Sequence, residues 1–570
     1  MFATAHEAAQ ARLKKRHETG YNLELSSQLL PESYSPAQLY DELLGDGQKT
    51  NVDDDLPNLL ILHSCLGTPR LQHEDDDEEY ISKLSSWISK AILPTSDVAT
   101  HDDAPEDSIN ASRQKTIHTA RRRGALGLQS LLKLLTLPDM PQQSAPISAQ
   151  MLISVIAFTS PRDVWSTPTS LTTAQQLLAL PFTQSALQDP EFISTDVLQR
   201  FIRPLFSASK PRTVTFAGRK AIPSSAPLKR YDFHEERASK PWLYETVYAV
   251  TVLEWAVREI STTTLQATWP LILPPLLTLL DTPGTPILTR ALPLITTLLP
   301  KLPPKTLAQT GLASVFSDAI IPVTLYLPSI TPLEESLEIL LLAYDALFVL
   351  YDVQFATPST STSSANSPTS STSTSLSKAP APGDQNSQNN STDEARLTYL
   401  TLILRHSILP AYLHASQHPQ ITTILLTQLT TLIPKLGVHA TKHLKDILPI
   451  ISSVFTDLFA SARLHDVLVA LGTFRVLIGC CWARFREDVW RREGVRCLVL
   501  CWGAICEVEV DGDRDSGAQV DRKMLVRVKE ELRVTGKVFA KAIEGGEVDL
   551  REELKPLLDV DVGVGEVFGV

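Results

Sequence analysis

The side chains with the most chemical potential gather near the C-terminal end. Five of the six cysteines lie there, Cys480, Cys481, Cys497, Cys501 and Cys506, while Cys65 stands alone. A zinc ribbon needs paired C-x2-C spacing. These cysteines are spaced by three and four residues inside an apolar run, Cys497-Leu498-Val499-Leu500-Cys501-Trp502, so they read as small buried hydrophobes. Asp511-Gly512-Asp513-Arg514-Asp515 opens like a calcium loop. Ser516 then replaces the required glycine and Arg522 the bidentate glutamate, so a solvated turn is expected. His406, His414 and His418 share one hairpin, and His439 and His443 stand at i,i+4 without an H-E-x-x-H pattern. The acidic run from His73 to Glu79 suits the start of a helix, where carboxylates meet the positive end of the macrodipole. Phosphate-binding glycine loops, dinucleotide fingerprints and nucleophile elbows are missing from the sequence. No catalytic residue, metal ligand or cofactor is assigned.

One cluster suggests binding in place of chemistry. Trp482, Arg484, Phe485, Arg486, Trp490, Arg491 and Arg492 fall within eleven residues. Arginine and tryptophan are enriched in protein-binding hot spots, which makes Arg484, Arg486, Trp490, Arg491 and Arg492 candidate partner-binding residues. The other reading buries the aromatics in the core and leaves the arginines solvated.

The elements that must carry these residues are helical. The 570 residues are 43% hydrophobic and 20% charged, enough to bury a core and too apolar for a wholly disordered chain. A net charge of −12 argues against general nucleic-acid binding, which depends on Lys and Arg. The opening MFATAHEAAQARLKKRHETG lacks the apolar centre of a secretory signal. Reduced thiols are therefore expected, in the cytoplasm with the nucleus left open. The longest uncharged run, 260–280, is half Ser and Thr and then broken by Pro270, Pro274 and Pro275, so it is not expected to span a membrane.

Residues 1–206 read as an irregular helical region, with helices near 56–66, 78–93, 113–137, 146–158, 172–188 and 192–206 and a polar loop over 94–112. Residues 207–240 form a basic link containing Lys210, Arg212, Arg219, Lys220, Lys229 and Arg230. From there the pattern is regular. Helices fill 241–356, a Ser/Thr/Pro-rich tract over 357–392 should be disordered, helices resume over 393–546, and 547–570 is a tail. Hydrophobic-Pro pairs recur at Leu273-Pro274, Ile321-Pro322, Leu409-Pro410 and Leu448-Pro449, at intervals of 48, 88 and 39 residues. Removing the 36-residue tract from the long interval leaves 52, near the repeat of about 40–47 in HEAT and armadillo arrays. A proline inside such a helix removes a backbone donor and bends it. From Pro332 to Asp352 the residues Leu333, Leu337, Leu340, Leu341, Tyr344, Leu347, Phe348 and Tyr351 step by threes and fours, predicting one apolar face. Trp269 and Leu340 are expected in the core. The fold class expected is all-α, a HEAT-like helical-repeat solenoid with a disordered insertion.

Several segments then resemble a known family. Lys240-Pro241-Trp242, Leu253-Glu254-Trp255-Ala256, Trp269 through Asp281, Thr310-Gly311-Leu312, Leu327 through Pro332 and Glu334-Glu335-Ser336-Leu337 are similar to the Tel-two-interacting protein two family. The resemblance implies a non-enzymatic HEAT-repeat scaffold, the smallest subunit of the TTT co-chaperone complex. Its partners would be the two other TTT subunits and, indirectly, PIKK-family kinases and the Hsp chaperone machinery. An unrelated HEAT-repeat adaptor, such as a transport or phosphatase scaffold, is the alternative.

Overall fold

Helical periodicity wins wherever the chain offers apolar residues every third or fourth position, and it wins here almost throughout. The computed structural model describes residues 2–14, 23–44, 55–72, 77–98, 106–137, 147–209, 233–303, 307, 310–355, 384–457, 459, 462–512, 522–545 and 549–570. The protein is all-α. Among the described residues the β-structure is a single parallel bridge between Tyr34 and Leu71.

The chain divides into two units, Met1–Asp281 and Thr282–Val570. In the first, α1 (Ala3–Lys14), α2 (Pro36–Leu44), α3 (Asp55–Leu66), α4 (Asp77–Ala91), α5 (Glu106–Leu135), α6 (Ala149–Ile156), α7 (Pro168–Leu178) and α8 (Pro181–Gln188) follow one another. Alternate helices touch: α1 packs on α3, α3 on α5 and α5 on α7, while α2 packs on α4 and α4 on α6. The region expected to be irregular therefore packs in two orderly rows; its irregularity lies in helix length. Pro181 splits the single helix expected over 172–188, since it cannot donate into the preceding turn. Helix α5 starts at Glu106, inside the expected loop. Asp77, Glu78 and Glu79 occupy the first turn of α4 as the acidic run predicts, and 73–76 lie outside the described residues.

Small residues let these rows close. A Cβ on Gly124 or Gly127 of α5 would overlap the Phe158 ring or the Ile92 side chain. Beside α5, buried His63 lies 3.3 Å from Lys133 Nζ and 3.5 Å from Glu24 Oε1. Burial, reinforced by the Lys133 charge, pushes its pKa down to about 4, so the imidazole is neutral at pH 7.

The first unit ends with a π-helical stretch, Phe192–Ile202, then α9 (Arg203–Phe206), α10 (Phe233–Ser239), α11 (Pro241–Tyr244), α12 (Ala249–Glu259) and α13 (Thr262–Asp281). Trp242 is fully buried and stacks on Phe206 at 5.0 Å and 8°. Trp255 meets Phe192 edge-on at 5.9 Å. Thr278 Oγ1 donates to the Ser209 carbonyl at 2.9 Å. The basic residues named for the link, from Lys210 to Arg230, lie outside the described residues.

The second unit contains α14 (Thr285–Leu298), α15 (Leu312–Ile320), α16 (Leu333–Gln354), α17 (Asp384–Ile403), α18 (Leu409–Ala415), α19 (Pro419–Leu436), α20 (Leu444–Phe455), α21 (Leu464–Phe485), α22 (Asp488–Gly512), α23 (Arg522–Ile543), α24 (Leu550–Leu558) and α25 (Gly563–Phe568). Here α14, α16, α19, α21 and α23 pack one on the next. On the other side Ile321–Leu325 packs on Leu404–Ile408, and α20 on α22. The Ser/Thr-rich tract to residue 383 lies outside the described residues. From Asp384 its end is already helical.

The four hydrophobic-Pro pairs all sit on helical backbone, in three different ways. Pro274 and Pro449 lie within α13 and α20. Pro322 opens a 3-10 turn that tightens the end of α15. Pro410 begins α18 directly after a π turn, Leu404–Ile408. Pro204 likewise follows the π stretch of the first unit. A proline ring crowds the carbonyl four residues back and donates nothing to it, so a locally wider helix before it relieves both problems.

Trp269 and Leu340 are buried as expected, at 6% and 0% exposure. The face of α16 is turned from the expected one. Leu341 is 49% exposed, and Ser336, Ala343 and Ala346 are buried instead. Selecting large apolar residues overlooked the small ones that let neighbouring helices approach.

Pro419–Phe455 and Leu464–Phe485 have the length and mean hydropathy, 1.3 and 1.6, of a membrane span. The first is interrupted at Gly437, whose φ of +55° suits glycine and ends α19. Helices α19 and α21 pack on each other, which gives their apolar faces a role in the core. Asp511 and Gly512 finish α22 in place of the expected turn, and 513–521 lie outside the described residues. Residues 549–570, read as a tail, include α24 and α25, which bury Leu554, Val564, Val567 and Phe568.

Candidate partner-binding surface

Helices α21 and α22 meet at a short turn, and the Arg/Trp cluster straddles it. Phe485 is fully buried, Trp490 half-buried, and Trp482 46% exposed. The arginines divide into two kinds. Arg486 lies over the Trp482 ring at 4.7 Å and donates to the carbonyls of Ala542 and Glu544, at 3.3 and 2.7 Å. It thus caps the C-terminal end of α23, where a cation satisfies orphan carbonyls and the dipole together. Arg491 is 5% exposed. Its Nε donates to Glu553 Oε2 at 2.7 Å and its Nη1 to the Arg486 carbonyl at 3.1 Å, while Nη2 pairs with Asp488. It fastens α24 to α22.

Arg484 and Arg492 face solvent. Arg484 pairs with Glu487 at 2.6 Å, and Arg492, 71% exposed at its side chain, reaches Asp488 at 3.1 Å. Exposed pairs of this kind contribute little to stability and can be exchanged for a partner's carboxylates. The cluster therefore combines an internal clamp with an outward rim of Trp482, Arg484 and Arg492. Arg491→Ala should destabilise the second unit by about 2–3 kcal/mol, because Glu553 loses its buried partner. Arg484→Ala and Arg492→Ala should each change it by less than about 0.5 kcal/mol. Urea denaturation of the full chain checks both expectations.

The remaining chemistry-bearing residues sit in packing roles. Burial raises the thiol pKa values of Cys65, Cys481 and Cys501 to about 12 and of Cys497 to about 11, so they stay protonated and unreactive. His443 is buried with its pKa pushed down by desolvation, and His439 stands half-exposed on a 3-10 turn. No His/Cys/Asp/Glu group able to hold a metal occurs among the described residues. A groove of about 650 Å³ in the first unit runs past Gln184, Gln188, Asp189, Trp255, Arg258 and Glu259.

The architecture defines an all-α protein in which alternate helices pack in rows. The Tti2 family model matches residues 151–462, over half of the chain, and the chain belongs to that family. None of the curated proteins and none of the solved structures compared matches it. The match spans Trp242, Trp255 and Trp269, all buried. The Arg/Trp cluster lies beyond the matched segment.

Proposed function

We propose that this protein is the smallest subunit of the TTT co-chaperone complex, a non-enzymatic scaffold for the folding, stability and assembly of PIKK-family kinases. The family match over 151–462 carries this reading. The helix rows support it physically, because a HEAT-like solenoid presents a long surface on which many weak contacts add. The two larger TTT subunits would bind directly, with the kinases and the Hsp chaperone machinery engaged through them, in the cytoplasm and nucleus. The solvent rim of Trp482, Arg484 and Arg492 belongs to the binding surface in this reading, since guanidinium groups pair partner carboxylates bidentately.

Affinity purification of the tagged full chain tests it. Both other TTT subunits should co-purify stoichiometrically, and depletion of the protein should lower PIKK protein levels with unchanged transcripts. Importin or phosphatase subunits in their place would establish the unrelated adaptor.

A further inference from the structure

In a chain of net charge −12, helix α23 carries seven Lys or Arg and only two Glu. It packs on α21 on one side and on the C-terminal α25 on another. Phe539 marks its inner side, 6.1 Å from Phe474 and 5.6 Å from Phe485 of α21. At about 100° per residue, Val526, Glu530, Val534, Lys537 and Lys541 fall within roughly 80° of one another, opposite Phe539. Val526 and Val534 are 54% and 48% exposed, and Val538 at the margin is 39% exposed. Arg527, Lys537 and Lys541 form no ion pair among the described residues. Arg533, nearer the buried side, is engaged by Glu566 at 2.6 Å.

We propose that this outer face of α23 is a docking surface for an acidic amphipathic helix of a partner protein. Val534 and Val538, one turn apart, form a short apolar seam with Arg527, Lys537 and Lys541 around it. Its complement is a helix with apolar residues at heptad spacing and Asp or Glu on either side. Glu530 lies at the centre of the face, and the exposed Asp559 and Asp561 lie on the following segment. Phosphates of a nucleic acid or lipid headgroup would meet those carboxylates, whereas an apolar seam with patterned charge suits a protein helix. The surface rests on the scaffold reading only for the identity of the partner.

The test uses the full chain and a fluorescent three-heptad synthetic helix with Leu at a and d and Glu at e and g. Wild type should bind it in a salt-sensitive manner. The triple change Arg527→Glu, Lys537→Glu, Lys541→Glu should weaken binding at least tenfold with an unchanged thermal melt. So should Val534→Ser with Val538→Ser, while Arg527→Lys, Lys537→Arg, Lys541→Arg should retain it. Equal binding by wild type and the Glu triple, or no binding by wild type, overturns the proposal. So does triple-sensitive binding to phosphatidylserine vesicles or duplex DNA without binding to the peptide. The same Glu triple should weaken the complex with the two other TTT subunits at least tenfold. If wild type and triple join that complex equally, the surface falls and the scaffold reading stands. If neither joins it while the peptide distinguishes them, the scaffold reading falls and the surface stands.

Discussion

Phe539→Ala should destabilise the second unit by about 3–5 kcal/mol, the cost of a large buried aromatic whose site cannot collapse. Phe539 is fully buried and central to a cluster of rings. It meets Phe474 and Phe485 of α21 and lies 6.5 Å from Phe568 of α25. Gly494 of α22 seats the same ring, and a Cβ there would collide with it. Helices α21, α22 and α25 thus converge on one side chain of α23, and no one of them can close the gap without leaving another. Phe539→Leu keeps most of the volume and should cost less, about 1–1.5 kcal/mol. Urea denaturation followed by far-UV circular dichroism compares the two. If alanine costs no more than leucine, the cluster does not act as one packed unit. Hydrogen exchange should show the lost protection concentrated in α21 to α25.

The helices themselves were largely legible because their signals are local. Periodic apolar residues and flanking breakers place α3 and α4 nearly where they stand, and Gly545, at φ +78°, ends the last turn after α23 as its residue type suggests. What escaped depends on residues distant in sequence. Arg491 reads as one more surface cation until Glu553, 62 residues away, is brought to it. The π turns before Pro204 and Pro410 cannot be read from propensity, since helix type there follows from how the backbone accommodates each ring. The helices of 549–570 were hidden by Pro556 and the glycines 563, 565 and 569, although Gly563 and Gly565 lie in close contact with neighbouring atoms. The docking residues were the least legible, because a solvated cation and a partner-binding one differ only in what comes to meet them.

The register of α16 offers the sharpest check on the core of the second unit. Leu340 is fully buried on a helix that contacts α14, α15 and α19, whereas the adjacent Leu341 is 49% exposed. Leu340→Ala should therefore cost about 2–5 kcal/mol, the transfer of the lost atoms plus the cavity they leave. Leu341→Ala should cost less than about 0.5 kcal/mol, as at an ordinary surface position. One residue step rotates a side chain by about 100° around the helix, so the pair distinguishes the observed phase from the one the large apolar residues alone suggest. Matched costs at both positions would mean that α16 is enclosed on every side, and a larger cost at Leu341 would reverse the face. Ala343→Leu supplies the opposite perturbation. Ala343 is fully buried, and overpacking there should cost about 1–3 kcal/mol. Tolerance of leucine at 343 would show that the neighbouring helices do not approach this stripe of small residues.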